Sequence, residues 1–119
     1  VECALKEAME NSNISVNEFT VAPQIAPTSG LPYHEWFIEF ENEPENLSAF
    51  ALKIDNEMRK QNSYYDDLIV GKVLKTLVIS KVSKNGFQEY MKSIGKLGGQ
   101  NKIPRLSSDR KIADLLKRE

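Results

Sequence analysis

The sequence predicts an α+β domain, a small three-stranded sheet with helices packed mainly on one face. Two patterns carry this reading. Residues 33–41 alternate with period two, and Leu47, Phe50, Ala51, Ile54 and Met58 recur at helical spacing. The segment order adds a third observation. Strand-like and helix-like stretches are interleaved irregularly, unlike the strict alternation of a doubly wound fold. At 119 residues, the chain is read as one domain with its own core.

The elements follow in order. Ala4, Leu5, Ala8 and Met9 fall on one stripe, predicting a short helix over 2–11, which Asn11-Ser12-Asn13 ends. Val16 to Val21 is β-branched and aromatic and reads as a strand. Pro23, Pro27, Gly30 and Pro32 make 22–32 a connection. In the strand Tyr33–Glu41, His34, Trp36, Ile38 and Phe40 share a core face, while Glu35, Phe37, Glu39 and Glu41 share a half-wet one. The two strands are close in sequence, so they are predicted to pair antiparallel.

Pro44 stops the second strand, and a helix is predicted over 46–61 with Asn46 as its N-cap. A second short helix covers 64–72, and 75–82 forms the third strand. Asn85 and Gln88 stand at capping-box spacing before a helix striped by Phe87, Tyr90, Met91 and Ile94, with Gly95 as its C-cap. Residues 96–107 read as a loop. Ser108 caps a last helix that buries Ile112, Leu115 and Leu116.

Composition narrows function without naming it. Hydrophobic residues are 40% and charged residues 28%, a globular balance. No apolar run is long enough to span a bilayer, and no basic-then-apolar leader opens the sequence. One cysteine, Cys3, forms no intrachain disulfide, and with the single His34 it makes no metal site. The expectation is a soluble, cytoplasmic domain without a membrane partner. It is too short to be a complete kinase, dehydrogenase or adenylating enzyme.

Charge separates along the chain. Residues 1–67 hold thirteen acids and four bases, net −9, and residues 68–119 hold four acids and twelve bases, net +8. Such asymmetry marks either a polyanion-binding half or two halves that pack together. Acids are mixed among the bases of the last helix (Asp109, Asp114 and Glu119), and few aromatics look exposed, which argues against nucleic acid.

The segment 95–108, GKLGGQNKIPRLSS, carries the chemistry. Gly98 and Gly99 let backbone amides approach an anion. Lys102 brings a mobile point charge, and Arg105 a planar fork suited to phosphate. Pro104 stiffens the approach to Arg105, and Ser107-Ser108 opens a helix whose N-terminus is itself an anion site. The string is not a Walker motif. On these residues alone, a phosphate-handling loop and a solvated connector stand level.

Gly99, Gln100, Lys102, Pro104 and Arg105 make a Gly-Gln-x-Lys-x-Pro-Arg core that strongly resembles the C-terminal motif of the Gretchen Hagen 3 acyl-acid amido synthetases, auxin-conjugating enzymes of plants and their bacterial relatives. The flanking Lys96-Leu97-Gly98-Gly99 and Leu106-Ser107 look like the bacterial branch. His34 to Phe40 is similar to a strand of that family, and Glu18-Phe19-Thr20 followed by Ala22-Pro23 matches in order. The resemblance covers nearly the whole chain, but only as that family's C-terminal domain.

The resemblance implies one moving part of a ligase of the adenylate-forming superfamily. Residues 1–119 would be a lid on a large N-terminal adenylation domain of the same polypeptide, with 96–107 as its glycine-rich basic loop. The intact enzyme would use ATP and Mg²⁺ to adenylate a carboxylic acid, then conjugate the acid to an amino acid as an amide. The isolated chain would be inactive and bind neither cofactor. Lys102 would be the catalytic residue reaching the nucleotide, with Gly98, Gly99, Gln100 and Arg105 as nucleotide-binding residues. Arg105 is equally suited to bonding loop carbonyls.

Other residues read as structural. His34 is a core or edge histidine, and Trp36 and Phe40 are core. Glu35 and Glu39 lie about 13 Å apart along a strand, too far for a direct acid–base pair, so they read as a solvated or domain-facing edge. Tyr64-Tyr65-Asp66-Asp67 starts a helix with its acids at the positive end. The competing reading is an independent α+β binding module whose basic face takes an anionic ligand.

Overall fold

The computed structural model describes residues 2–10, 12–24, 30–93, 106 and 116. Its elements are α1 (Glu2–Met9), β1 (Ser15–Gln24), β2 (Tyr33–Asn42), α2 (Leu47–Gln61), α3 (Ser63–Val70), β3 (Val78–Lys81) and α4 (Gly86–Ser93). This is the predicted order as far as residue 93. The predicted helix end at 94–95, the loop and the last helix lie outside the described residues, apart from Leu106 and Leu116.

The sheet order is β1-β2-β3. β1 and β2 pair antiparallel, as predicted, while β3 joins β2 in parallel after the α2–α3 crossover. β1 runs further than expected and takes in Pro23, which lies opposite His34. An edge strand tolerates proline, because its missing N–H faces away from the ladder. A bulge between Val16 and Glu18 leaves Asn17 outside the regular register. β3 is shorter than the predicted 75–82.

Local chemistry sets the helix ends. The Asn46 side chain accepts from the Ala49 amide at 3.0 Å, which is the predicted cap. Asn62 divides α2 from α3. Its amide donates to the Met58 carbonyl, and its side chain accepts from the Tyr65 amide at 3.1 Å. Lys72, at φ 58°, ends the turn after α3. Asn85 stands at φ 65°, a left-handed conformation asparagine tolerates, and not in the extended conformation of the predicted capping box.

Helices α1, α2 and α3 cover one sheet face, the predicted main layer. Its core joins Phe19, Val21, Trp36 and Ile38 of the sheet to Leu5, Phe50, Ile54, Met58 and Tyr65 of the helices. Phe19 stacks on Trp36 at 5.7 Å, and Phe40 meets Phe50 edge-on at 6.0 Å.

The opposite face differs from expectation. Phe37 is fully buried in a second cluster with Ala22, Val82, Phe87 and Leu116, flanked by Tyr90 and Met91. α4 and Leu116 therefore close a face that alternation alone made half-wet. Glu35 and Glu39 are each only 6% exposed, which corrects the solvated-edge reading. Glu35 accepts from the Ser80 hydroxyl of β3, and Glu39 from the Asn17 amide of the bulge at 3.3 Å. Burying a carboxylate requires such donors. Glu41, beyond them, is exposed.

The two charge segments meet within the fold. Lys81 of β3 pairs with Glu43, after β2, at 2.9 Å. Among the described residues, no helix is long and apolar enough to cross a membrane.

Candidate functional site

One described residue adjoins the glycine-rich motif in sequence. Leu106, the residue after Arg105, forms an isolated parallel bridge with Val21 of β1 and stays 56% exposed. Gly98, Gly99, Gln100, Lys102 and Arg105 lie outside the described residues. The chemistry of their donor set fits a polyphosphate: glycine amides, a carboxamide, an ammonium and a guanidinium all offer hydrogens to oxygen. Among the described residues, no group of three or more His, Cys, Asp or Glu side chains fits a metal ion.

Leu106 stands at the rim of a cavity of about 350 Å³. The floor is Val21, His34 and Trp36 of the sheet and Met58 of α2. The wall is Gln61, Asn62, Tyr64, Tyr65 and Leu68 at the α2–α3 junction. The break at Asn62 creates this wall, because it turns α3 so that Tyr65 faces β2 while Tyr64 is left exposed.

Tyr65 organises the cavity's polar side. Its ring stacks on His34 at 5.7 Å, and its hydroxyl donates to Asp55 Oδ1 at 2.5 Å. Burial, then the bond to Asp55, pushes the phenol above its usual range. Asp55 is 2% exposed, one helical turn beyond Ala51 on the buried side of α2. Outside the cavity, Arg59 Nε meets Asp66 Oδ1 at 2.5 Å, so Asp66 both sits in the first turn of α3, as predicted, and ties α2 to α3.

Asp55 and Tyr65 as a buried pair were missed from the sequence. The available signal was an acid on the apolar stripe of a helix followed by a tyrosine at the next helix start. His34 is half-buried at the edge of the core, as read, but it also faces the cavity.

Two outcomes follow for this cluster. Tyr65→Phe removes a donor from a buried carboxylate and costs about 1–3 kcal/mol in urea unfolding. Burial also holds the His34 imidazole below its ordinary 6.5, with Asp55 opposing. The unfolded chain therefore takes up this proton first as pH falls. The contribution of neutral His34 is fully present above about pH 6.5 and is lost as pH drops through the folded value. Stability measured from about pH 7.5 to about pH 5 declines toward acid, and His34→Gln makes that slope shallower.

Fold and sequence together define a class: a small α+β domain with a three-stranded mixed sheet, and a glycine-rich basic motif followed by Leu106, which bridges to β1. The family model described as the GH3 family C-terminal domain matches residues 1–111. The chain belongs to this family. Two solved structures share the fold. One is described as GH3.15 acyl acid amido synthetase, with a TM-score of 0.74 and 17% identity. The other is AtGH3.15 acyl acid amido synthetase in complex with 2,4-DB, with a TM-score of 0.72 and 17% identity. Each match covers 99% of this chain and 24% of the other, so the chain spans about a quarter of the length of these structures. No match is found among curated proteins.

Proposed function

We propose that the chain is the mobile C-terminal lid of an ATP-dependent ligase joining a carboxylic acid to an amino acid. The observation that carries this is the family match over residues 1–111, which runs through Gly99-Gln100, Lys102 and Pro104-Arg105. The fold shared with acyl acid amido synthetases, over 24% of their length, supports a partner domain that holds the rest of the site. That partner is a large N-terminal adenylation domain of the same polypeptide. The flanking Lys96-Leu97-Gly98-Gly99 looks like the bacterial branch and supports a bacterial enzyme. A cytoplasmic setting, where ATP and free amino acids meet, goes with it.

In this mechanism, a carboxylate oxygen attacks the α-phosphorus of ATP and pyrophosphate leaves. The amino acid's amine then attacks the acyl carbon, loses a proton, and AMP departs. Mg²⁺, when bound with the nucleotide, would supply charge neutralisation on the phosphates. Lys102 stabilises the negative charge that grows at phosphorus. Gly98, Gly99 and Gln100 shape the loop that presents it, and Arg105 fastens the loop or takes a phosphate oxygen. Closure of the lid excludes water from the labile mixed anhydride.

A screen of carboxylic acids against amino acids with the intact polypeptide, ATP and Mg²⁺ tests this. The expected result is amide and AMP in equal amounts for at least one pair. An open reading frame with no large domain upstream of this sequence would sink the reading.

A further inference from the structure

The cavity beside Leu106 has the layout of a protein–protein contact. Its floor, Val21, Trp36 and Met58, is buried and apolar. Its mouth is edged by exposed side chains, Gln61, Asn62, Tyr64 and Leu106. An apolar centre inside a more polar rim is the usual anatomy of an interface. Tyr64 is 71% exposed although its neighbour Tyr65 is buried. A tyrosine ring and a leucine left in water at one mouth both gain when a partner covers them.

The lining also specifies the kind of side chain that enters. Met58, on the floor, adapts its shape to an apolar guest. Asp55 is 2% exposed and already accepts the Tyr65 hydroxyl, so its charge is not open to a cationic anchor. An apolar or aromatic side chain fits this floor, and such side chains filling pockets carry much of the energy of an interface.

Chain connectivity identifies the partner. Lys102 precedes Leu106 by four residues, a span of at most about 14 Å. On the ligase reading, the nucleotide that Lys102 meets is held by the large adenylation domain. The surface of that domain then comes within this span, plus the reach of one lysine, of the cavity mouth. The partner is also large enough: in a solved synthetase of this fold, the matched part is 24% of the chain, and about three-quarters lies outside it.

We propose that this cavity is a socket that receives an apolar or aromatic side chain of the large adenylation domain when Lys102 meets the nucleotide. The inference rests on the ligase reading and adds the point of contact. Burial of Tyr64 and Leu106 against that domain favours the arrangement in which Lys102 reaches phosphate.

Photo-cross-linking of the intact polypeptide with ATP and Mg²⁺ tests this. The photoreactive residue p-benzoylphenylalanine is placed at position 64 or, for comparison, at position 52. Leu52 is also exposed, at 53%, but lines a separate depression between α2 and β3. An equal mixture of ¹⁴N- and ¹⁵N-labelled polypeptide separates contacts within one chain from contacts between copies. Position 64 is expected to join, within one chain, a peptide that precedes residue 1 of this sequence, and position 52 is not. Cross-links from position 64 that stay within residues 1–119, that reach a second copy, or that match those from position 52 overturn the proposal.

A second measurement covers the effect on chemistry. Tyr64→Asp should lower acid-dependent ATP–pyrophosphate exchange by the intact polypeptide by about tenfold or more, while Tyr64→Phe keeps it within about twofold. The urea midpoint of the 119-residue chain should not move, because Tyr64 is exposed in it. A loss below about threefold with Tyr64→Asp overturns the socket. The two failures are distinguishable. A parent polypeptide that exchanges normally while position 64 meets no upstream peptide removes the socket alone, whereas a parent that never exchanges removes the ligase reading and the socket with it.

Discussion

In the ligase proposed above, replacing Lys102 with alanine is expected to lower acid-dependent adenylation by roughly 10²–10³-fold, the range for removing a group that stabilises transition-state charge. The reasoning begins with the residue type. A lysine is a compact cation on a flexible stem, able to follow phosphate oxygens as charge redistributes. It sits between a Gly-Gly pair and a Pro-Arg pair, so the chain can bend on one side of it and is stiffened on the other. A role confined to the chemistry predicts that thermal unfolding of the variant matches the parent within about 0.5 kcal/mol. A loss of adenylation below about threefold would remove Lys102 from the chemistry.

Trp36→Ala and Phe37→Ala are each expected to cost about 3–5 kcal/mol in equilibrium unfolding of the 119-residue chain. The two residues are neighbours on β2, so their side chains leave opposite faces of the sheet. Both are fully buried. Trp36 stacks on Phe19 beneath α1–α3, while Phe37 sits with Ala22, Val82, Phe87 and Leu116 beneath α4. Against a total of about 5–15 kcal/mol, either change consumes much of the stability. The informative comparison is Phe37. On a one-sided sheet its truncation would cost well under 1 kcal/mol. A loss that small would contradict the second core.

Legibility in the sequence followed the range of the physics. Local pattern was enough where neighbours along the chain decide the outcome. The stripe Phe50, Ile54 and Met58 fixed α2, Asn46 its cap, and the alternation of 33–41 fixed β2. What distant segments decide was harder to read. Glu35 and Glu39 looked like solvent-facing charges because nothing near them in sequence announces Ser80 or Asn17 as partners. Asn85 looked like an N-cap because capping spacing does not reveal φ. The cavity depends on α3 turning back over β2 at Asn62, so His34, Asp55 and Tyr65 became a cluster only in three dimensions. The Gly-Gln-x-Lys-x-Pro-Arg motif was legible as residue types at fixed spacing, and it falls within the stretch the family model matches.

The central claim is that this domain completes an adenylating site supplied mostly by another part of the same polypeptide. Acid-dependent ATP–pyrophosphate exchange tests it most directly, measured side by side for the intact polypeptide and for the 119-residue chain. Exchange by the intact polypeptide and none by the chain alone is the predicted result. Exchange by the chain alone, or none by the intact polypeptide across a broad panel of carboxylic acids, would contradict it.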